Sequence, residues 1–367
     1  MNIVINNRAL PGNNNYAQGF FSEYILKIIE AHREHSYFLI TDNIAGTNNP
    51  VNGITNIAVA PVSKNILALK FWYGFKLPYL LKKYAASIFI NINSIASLNI
   101  DTPQCLLVAD IAMLEGLSYS KKDIKLFLNK ATIIITFSQF VKNKISKDYF
   151  IDEQKIIVFY MAGNNGYLPI SETEKEACKE KYAAEKEYFL FIGELSTANN
   201  LIHLLKAFSF FKKRQKSNMQ LVIATKTVLP NNAFIKSLAT YKYKDDVKLL
   251  FDLPQQALAT ITAAAYTFVY APTKNDFYLP VLQAMHSGVP VIVSNTILMN
   301  EICGDAALFT DPAVFEHIAD KMMLLFKDEN KRNELIEKGK QQAAQFTMEK
   351  SSQVLWQNIT KCAGITG

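Results

Sequence analysis

The chain has 367 residues, of which 50% are hydrophobic and 19% charged, and a formal net charge of +7. A chain this long and this apolar can bury two ordinary cores without metal or disulfide staples, and its low charge content excludes extended disorder. No apolar run reaches the roughly 18 to 20 residues needed to cross a bilayer, and the opening Met1-Asn2-Ile3-Val4-Ile5-Asn6 lacks the stretches of a secretory signal, so a cytoplasmic protein is expected.

A short apolar strand over 2–6 opens the chain. The turn Pro11-Gly12-Asn13-Asn14-Asn15 follows, then a helix over 16–32 with Phe20, Phe21, Tyr24, Ile25, Ile28 and Ile29 at helical spacing. Strands are expected at 37–41, 55–60, 87–91, 105–109, 132–136 and 155–160, with helices between several of them. These runs are apolar on both faces, as parallel strands covered by helices require. The Asn-rich stretches 13–15 and 43–52 read as solvent loops. The segment Lys70-Phe71-Trp72-Tyr73-Gly74-Phe75-Lys76, with Lys82 and Lys83, is aromatic and basic. It reads as a core helix with basic ends, with peripheral contact to an anionic membrane as the alternative.

The stretch 171–187 is rich in Glu and Lys and suits a linker with an exposed helix. The alternation then restarts. Strands at 188–192, 220–224, 247–250, 267–271, 289–293 and 307–309 alternate with helices near 200–213, 233–239, 255–264 and 280–286. Helices over 313–326, 329–342 and 349–362 close the chain. Lys212-Lys213-Arg214 ends a helix, where cations suit the dipole, and is not read as a nucleic-acid patch. Two sets of strand–helix units predict an α/β protein of two doubly wound parallel sheets facing a central cleft, with ligands at strand carboxyl ends and helix N-termini. The four cysteines form no metal spacing and read as buried free thiols; the five histidines form no metal motif. No nucleophile triad or nucleic-acid module stands out.

The second half carries a resemblance. Phe189-Leu190-Phe191-Ile192-Gly193-Glu194-Leu195-Ser196 leads to Asn199-Asn200-Leu201. Phe268-Val269-Tyr270 leads to Asn275-Asp276-Phe277-Tyr278-Leu279-Pro280-Val281-Leu282-Gln283-Ala284-Met285, then Gly288-Val289-Pro290-Val291-Ile292, Gly304-Asp305-Ala306-Ala307 and Asp311-Pro312. In order and spacing this resembles the family 4, group 1 retaining glycosyltransferases of GT-B fold. Val108-Ala109-Asp110-Ile111-Ala112, Ile135-Thr136-Phe137-Ser138-Gln139-Phe140 and Tyr160-Met161-Ala162-Gly163 are similar to comparable runs in the family's first half.

The resemblance implies two Rossmann-like domains, over 1–168 and 169–348, with residues 349–367 forming a helix that returns to the first. It implies retaining transfer of a hexose in polysaccharide synthesis, with no metal or other cofactor. The nucleotide-sugar donor is held mainly by the second domain, and a glycan or lipid-linked acceptor mainly by the first. Donor contacts carry over to Gly193, Asn199, Asn200, Lys226, Leu253, Asn275, Asp276, Phe277, Tyr278, Leu279 and Gln283, and the catalytic candidates are Asp110 and Asp276.

The sequence departs from the family where polar chemistry is concerned. Amides, Asn275 and Gln283, stand where the family places glutamates. A hydrogen bond to a charged group contributes roughly 1.5–3 kcal/mol, against about 0.5–1.5 for a neutral one. Asp276-Phe277-Tyr278 replaces Gly-Phe-Gly, adding a negative charge and a ring where bare backbone approaches phosphate; Asp276 taking over the sugar contact is the alternative. Asn199 replaces a lysine, leaving Lys226 as the cation for the diphosphate or a solvated loop lysine. Ala109 precedes Asp110 where the family often has histidine, and Asp110 also reads as a cap. The first-helix turn keeps only Gly19. Two functions follow: a nucleotide-sugar-dependent hexosyltransferase, or a catalytically impaired pseudo-glycosyltransferase that binds a glycan or an active partner glycosyltransferase.

Overall fold

A computed structural model describes residues 1–8, 16–41, 53–59, 66–109, 111, 119–163, 166–226, 232–273 and 277–364. The Asn-rich stretches, Asp110, Asn275 and Asp276 lie outside them. The chain divides into two units, residues 1–161 with 348–367, and residues 162–347.

The first unit holds a seven-stranded parallel sheet: β1 (Asn2–Asn6), β2 (Ser36–Thr41), β3 (Ile54–Ala58), β4 (Ile88–Asn91), β5 (Gln104–Leu107), β6 (Ile133–Thr136) and β7 (Ile156–Val158), in the order β3-β2-β1-β4-β5-β6-β7. The described helices are α1 (Tyr16–Ala31), α2 (Ile66–Phe71), α3 (Leu77–Lys83), α4 (Lys121–Lys130) and α5 (Gln139–Tyr149). A π turn over Trp72–Lys76 joins α2 to α3. Strands β4, β5 and β6 are buried along their whole length, which is why their sequences do not alternate. Ser120 and Asp123 form a capping box that starts α4.

The last helix of the chain, α14 once the second unit's helices are counted (Met348–Cys362), belongs to this first unit. Ser351 Oγ donates to the Tyr160 carbonyl at 2.7 Å. Trp356 stacks on His32 with ring centroids 3.9 Å apart.

The second unit repeats the plan with six parallel strands: β8 (Tyr188–Ile192), β9 (Gln220–Thr225), β10 (Val247–Phe251), β11 (Thr267–Tyr270), β12 (Val291–Ser294) and β13 (Ala307–Thr310), in the order β10-β9-β8-β11-β12-β13. Its helices are α6 (Glu172–Ala183), α7 (Leu201–Gln215), α8 (Ala233–Ala239), α9 (Gln255–Ala263), α10 (Leu279–His286), α11 (Ile297–Cys303), α12 (Phe315–Lys327) and α13 (Glu329–Ala343). Ser171 and Glu174 cap α6 reciprocally, so the Glu/Lys-rich stretch is an ordinary exposed helix with its own start signal.

In both sheets the strand order reverses direction at the first strand of the set, between β1 and β4 and between β8 and β11. Doubly wound sheets bind ligands at this point, outside the strand carboxyl ends.

The four cysteines are free and buried. Burial pushes the Cys303 thiol up to about 12 and that of Cys362 to about 11, which keeps both protonated. Lys212 is not a solvated dipole cation. It is buried, 3.0 Å from Asp246 Oδ2, and donates to the Met219 carbonyl at 3.2 Å, pinning α7 to the strands beside it.

Candidate functional site

The carboxyl edge of the second sheet gathers most of the residues singled out from the sequence. Gly193 and the turn through Asn199 and Asn200 follow β8; Lys226 follows β9; Leu253 follows β10; Phe277, Tyr278 and the start of α10 follow β11. The Gly193 N–H donates to the Ala224 carbonyl at 3.1 Å, which continues the β8–β9 ladder one residue past the strand. A Cβ at position 193 would lie 2.8 Å from Phe191 Cζ, so glycine is required unless that ring moves. The Phe191 ring is stacked on Tyr270, with centroids 6.0 Å apart.

The amides of this edge hold loops. Asn199 Nδ2 donates to the Glu194 carbonyl at 2.8 Å. Asn200 sits at φ +59°, in the left-handed region that asparagine tolerates, and begins α7. Its Nδ2 donates to the Ala271 carbonyl at 3.0 Å and the Pro312 carbonyl at 2.7 Å. One side chain therefore ties the loops after β8, β11 and β13 together. Ser294 Oγ, donating to the Pro272 carbonyl at 2.6 Å, fastens the same edge from β12. His203 Nδ1 lies 2.9 Å from the Pro312 carbonyl.

The Tyr278 ring is enclosed by protein. Tyr278 and Leu279 are both fully buried, so they anchor the start of α10 and present no contact surface. Gln283 is also buried, one turn further into α10. Lys226 is exposed, while Leu253 and Phe277 are half-buried. The start of α10 lies at this edge, and a helix N-terminus favours an anion there. A separate cavity of about 490 Å³ opens at the opposite, amino edge of the sheet, beside Glu187, Tyr266 and Val289. Its cations are matched by carboxylates: Lys179 lies 2.5 Å from Glu187, and Arg332 2.9 Å from Glu329.

The first sheet's switch point carries polar residues that the sequence pattern did not single out. Asn6 ends β1, Asn91 ends β4, and the two are direct partners in the parallel register. Asn6 Nδ2 donates to Asn91 Oδ1 at 3.0 Å and to the Tyr73 hydroxyl at 3.3 Å. Asn91 Nδ2 donates to the Ile95 carbonyl and, at 3.4 Å, to the same hydroxyl. Burial holds the Tyr73 phenol above its ordinary range, so it stays neutral. Asn93 Oδ1 is buried without a hydrogen-bond partner. The Arg8 guanidinium is buried, 4.3 Å from the Trp72 ring centroid. The available signal was an asparagine closing each of two apolar strands, in Ile3-Val4-Ile5-Asn6 and Phe89-Ile90-Asn91. Reading it required knowing that β1 and β4 are neighbours. Ala109, half-buried, lies just past β5. Among the described residues, no group of three His, Cys, Asp or Glu side chains could hold a metal ion.

Residues 172–342 match the profile of the family described as glycosyl transferases group 1. This stretch spans nearly all of the second unit. The chain is related to the group 1 glycosyltransferases of GT-B fold. It is 28% identical over 243 residues to O-antigen chain mannosyltransferase B of Escherichia coli, covering 66% of this chain and 62% of that protein. It is 27% identical over 189 residues to the O-antigen chain mannosyltransferase RfbU of Salmonella typhimurium, covering 52% of this chain and 49% of that one. The matches thus span less than two thirds of either relative. A glycosyltransferase structure from Rickettsia africae superimposes with a TM-score of 0.81 at 16% identity, covering 100% of this chain and 99% of that one. Anabaena HepE, solved in complex with UDP and glucose, superimposes with a TM-score of 0.78 at 15% identity, covering 98% and 100%. The GT-B expectation therefore holds over the whole length, and the group 1 kinship is sharpest in the second unit.

Proposed function

We propose that this chain transfers a hexose from a nucleotide sugar, with retention at the anomeric carbon, to a glycan or lipid-linked acceptor in polysaccharide synthesis. One observation carries the reading: the group 1 glycosyltransferase match falls on a sheet whose switch-point edge presents Gly193, Lys226 and the start of α10. In this reading the diphosphate lies against main-chain N–H groups of that edge, with Lys226 supplying positive charge. Asn275, Asp276 and Gln283 are assigned to donor hydroxyls, and Asp110 and Asp276 are the catalytic candidates. The acceptor lies at the first sheet's edge, by Asn6, Asn91 and Arg8. The donor needs no metal, the protein works in the cytoplasm, and a lipid-linked acceptor brings it peripherally to the inner membrane face. The O-antigen mannosyltransferase relatives and the UDP complex of a structural neighbour support this assignment.

A second reading has its own support. Asn275 and Gln283 carry no charge, and Ala109 can neither donate nor accept a proton. In that reading the chain is a pseudo-glycosyltransferase acting beside an active partner. Calorimetry with uridine, guanosine and adenosine diphosphates and their sugars separates the two. The transferase reading expects saturable binding, weakened roughly 10- to 100-fold by Lys226→Glu. Binding that ignores this charge reversal displaces the site from the second sheet's edge. A flat response to every nucleotide favours the second reading, and co-purification should then deliver the partner.

A further inference from the structure

The cavity at the amino edge of the second sheet lies apart from the edge assigned to the donor. Its volume of about 490 Å³ falls within the range of small-molecule sites, roughly 300–1,000 Å³. Its lining is nearly balanced in charge. Lys175, Lys179, Arg332 and Lys340 share it with Glu172, Glu187 and Glu329. The helix ends balance as well: α9 and α10 finish at its wall, and α6 and α13 begin there. A hydrogen bond from Lys175 holds the Glu172 carboxyl below its ordinary range, with smaller pulls from Lys179 and Arg332, so three cations converge on one carboxylate.

These charges are held in place yet keep bonding capacity. Lys175 lies 2.7 Å from Glu172, and Lys340 2.7 Å from Glu337. Lys179, buried, is 2.9 Å from Glu176 and 2.5 Å from Glu187. Arg332 reaches Glu329 at 2.9 Å, donates its Nε–H to the Tyr266 carbonyl at 3.4 Å, and lies 4.4 Å from the Tyr266 ring centroid. An ammonium has N–H donors, and a carboxylate lone pairs, beyond those an ion pair uses. Ser287, just past α10, adds a second observation. It lies on the cavity wall, is 3% exposed, and its Oγ has no hydrogen-bond partner among the described residues. An unpaired buried hydroxyl is destabilising, and a ligand that bonds it relieves this. Gly288 beside it, at φ +72°, keeps the wall open: a Cβ there would lie 3.3 Å from Lys340 Cε and 3.6 Å from Pro169 Cγ.

We propose that this cavity binds a neutral, hydroxyl-rich saccharide. Each sugar hydroxyl both donates and accepts, so one ring can bridge a lysine and a glutamate without separating them. An anionic ligand is a poorer occupant, because it would compete with Glu172, Glu187 and Glu329 for the same cations. An apolar ligand would strip water from the charged lining and return no hydrogen bonds. The proposal goes beyond sugar transfer and stands on separate observations.

Titration of the methyl-labelled full chain with maltotriose and with α-linked mannotriose tests it by nuclear magnetic resonance. Millimolar binding should shift the methyl resonances of Val289 and Ile336, which line the cavity. The shifts should be the same in Lys226→Glu, which separates this cavity from the edge assigned to the donor. Ser287→Ala should weaken binding about 3- to 10-fold. The same variant should melt no lower than wild type without ligand, since it removes the unpaired hydroxyl. Lys175→Met should weaken binding about tenfold or more. Inorganic phosphate, the charged probe, should shift these methyls less at equal concentration. Should Ser287→Ala fail to fold, Lys175→Met decides alone. Methyls that ignore both trisaccharides, or binding untouched by both cavity variants, overturn the proposal. So does phosphate binding tighter than either trisaccharide, which would make the cavity an anion site.

Discussion

The two switch points solve the same problem with different groups. At the β8–β11 edge, Asn199, Asn200 and Ser294 donate to main-chain carbonyls, so polar side chains serve to fix loops. At the β1–β4 edge, Asn6, Asn91 and Tyr73 bond to one another, and Asn93 Oδ1 is left without a partner. The second edge is therefore a surface shaped by backbone, and the first is a surface written in side chains. A backbone-shaped edge tolerates loss of charged side chains better, since main-chain N–H groups and a helix start do not depend on residue identity.

The largest expected effect tests the claim that the second edge rests on its core. Tyr278→Gly should cost on the order of 3–5 kcal/mol, because it empties a fully buried aromatic site. Thermal unfolding checks this. A variant as stable as wild type would mean that the ring is not a core element.

Next comes the loop clamp. Asn200→Ala loses two hydrogen bonds and keeps a left-handed backbone that alanine resists, so about 2–4 kcal/mol is expected. Asn200→Gly loses the same bonds without the backbone penalty and should be milder by about 1 kcal/mol. Denaturant titration of both variants measures the difference. Equal destabilisation would show that the bonds, and not the backbone conformation, carry the role. A smaller loss, about 1–3 kcal/mol, is expected at the other edge for Tyr73→Phe, which removes the hydroxyl that two asparagine amides address. Stability unchanged by that substitution would mean the asparagines find other partners, and the contrast between the edges would weaken.

Much of the fold was legible. The unbroken apolar runs Tyr188–Ile192 and Ile133–Thr136 are strands at the expected places, because a fully buried parallel strand has no polar face to confuse the pattern. The helix Ile297–Cys303 was not, since seven residues barely establish a period. The site was legible only as a set of positions. Which atoms face a ligand depends on χ angles and on neighbouring strands, as Tyr278 and the Asn6–Asn91 pair demonstrate. The aromatic segment over 66–83 was ambiguous for a different reason. Its two faces are apolar alike, and composition cannot say which one the core takes.

The smallest effect concerns His286, behind the second edge at the end of α10. Burial lowers its pKa below the ordinary value of about 6.5, with a hydrogen bond to the Phe346 main chain pulling the other way. Its Nε2 is buried without a hydrogen-bond partner, so no acceptor is placed to bond the second ring N–H that protonation would create. The unfolded chain therefore takes up a proton that the folded one resists. This contribution to stability is complete above pH about 6.5, and it is lost as pH falls from there through the lower folded value. His35 in the first unit is shifted in the same direction, by burial and by the nearby N-terminal amine, so the whole chain should lose stability on mild acidification. His286→Gln removes one source and leaves the other. Melting curves between neutral and mildly acid pH should show a shallower decline for the second unit's transition in that variant. An unaltered pH dependence would mean that water reaches His286 and that the packing behind α10 is looser than its neighbours indicate.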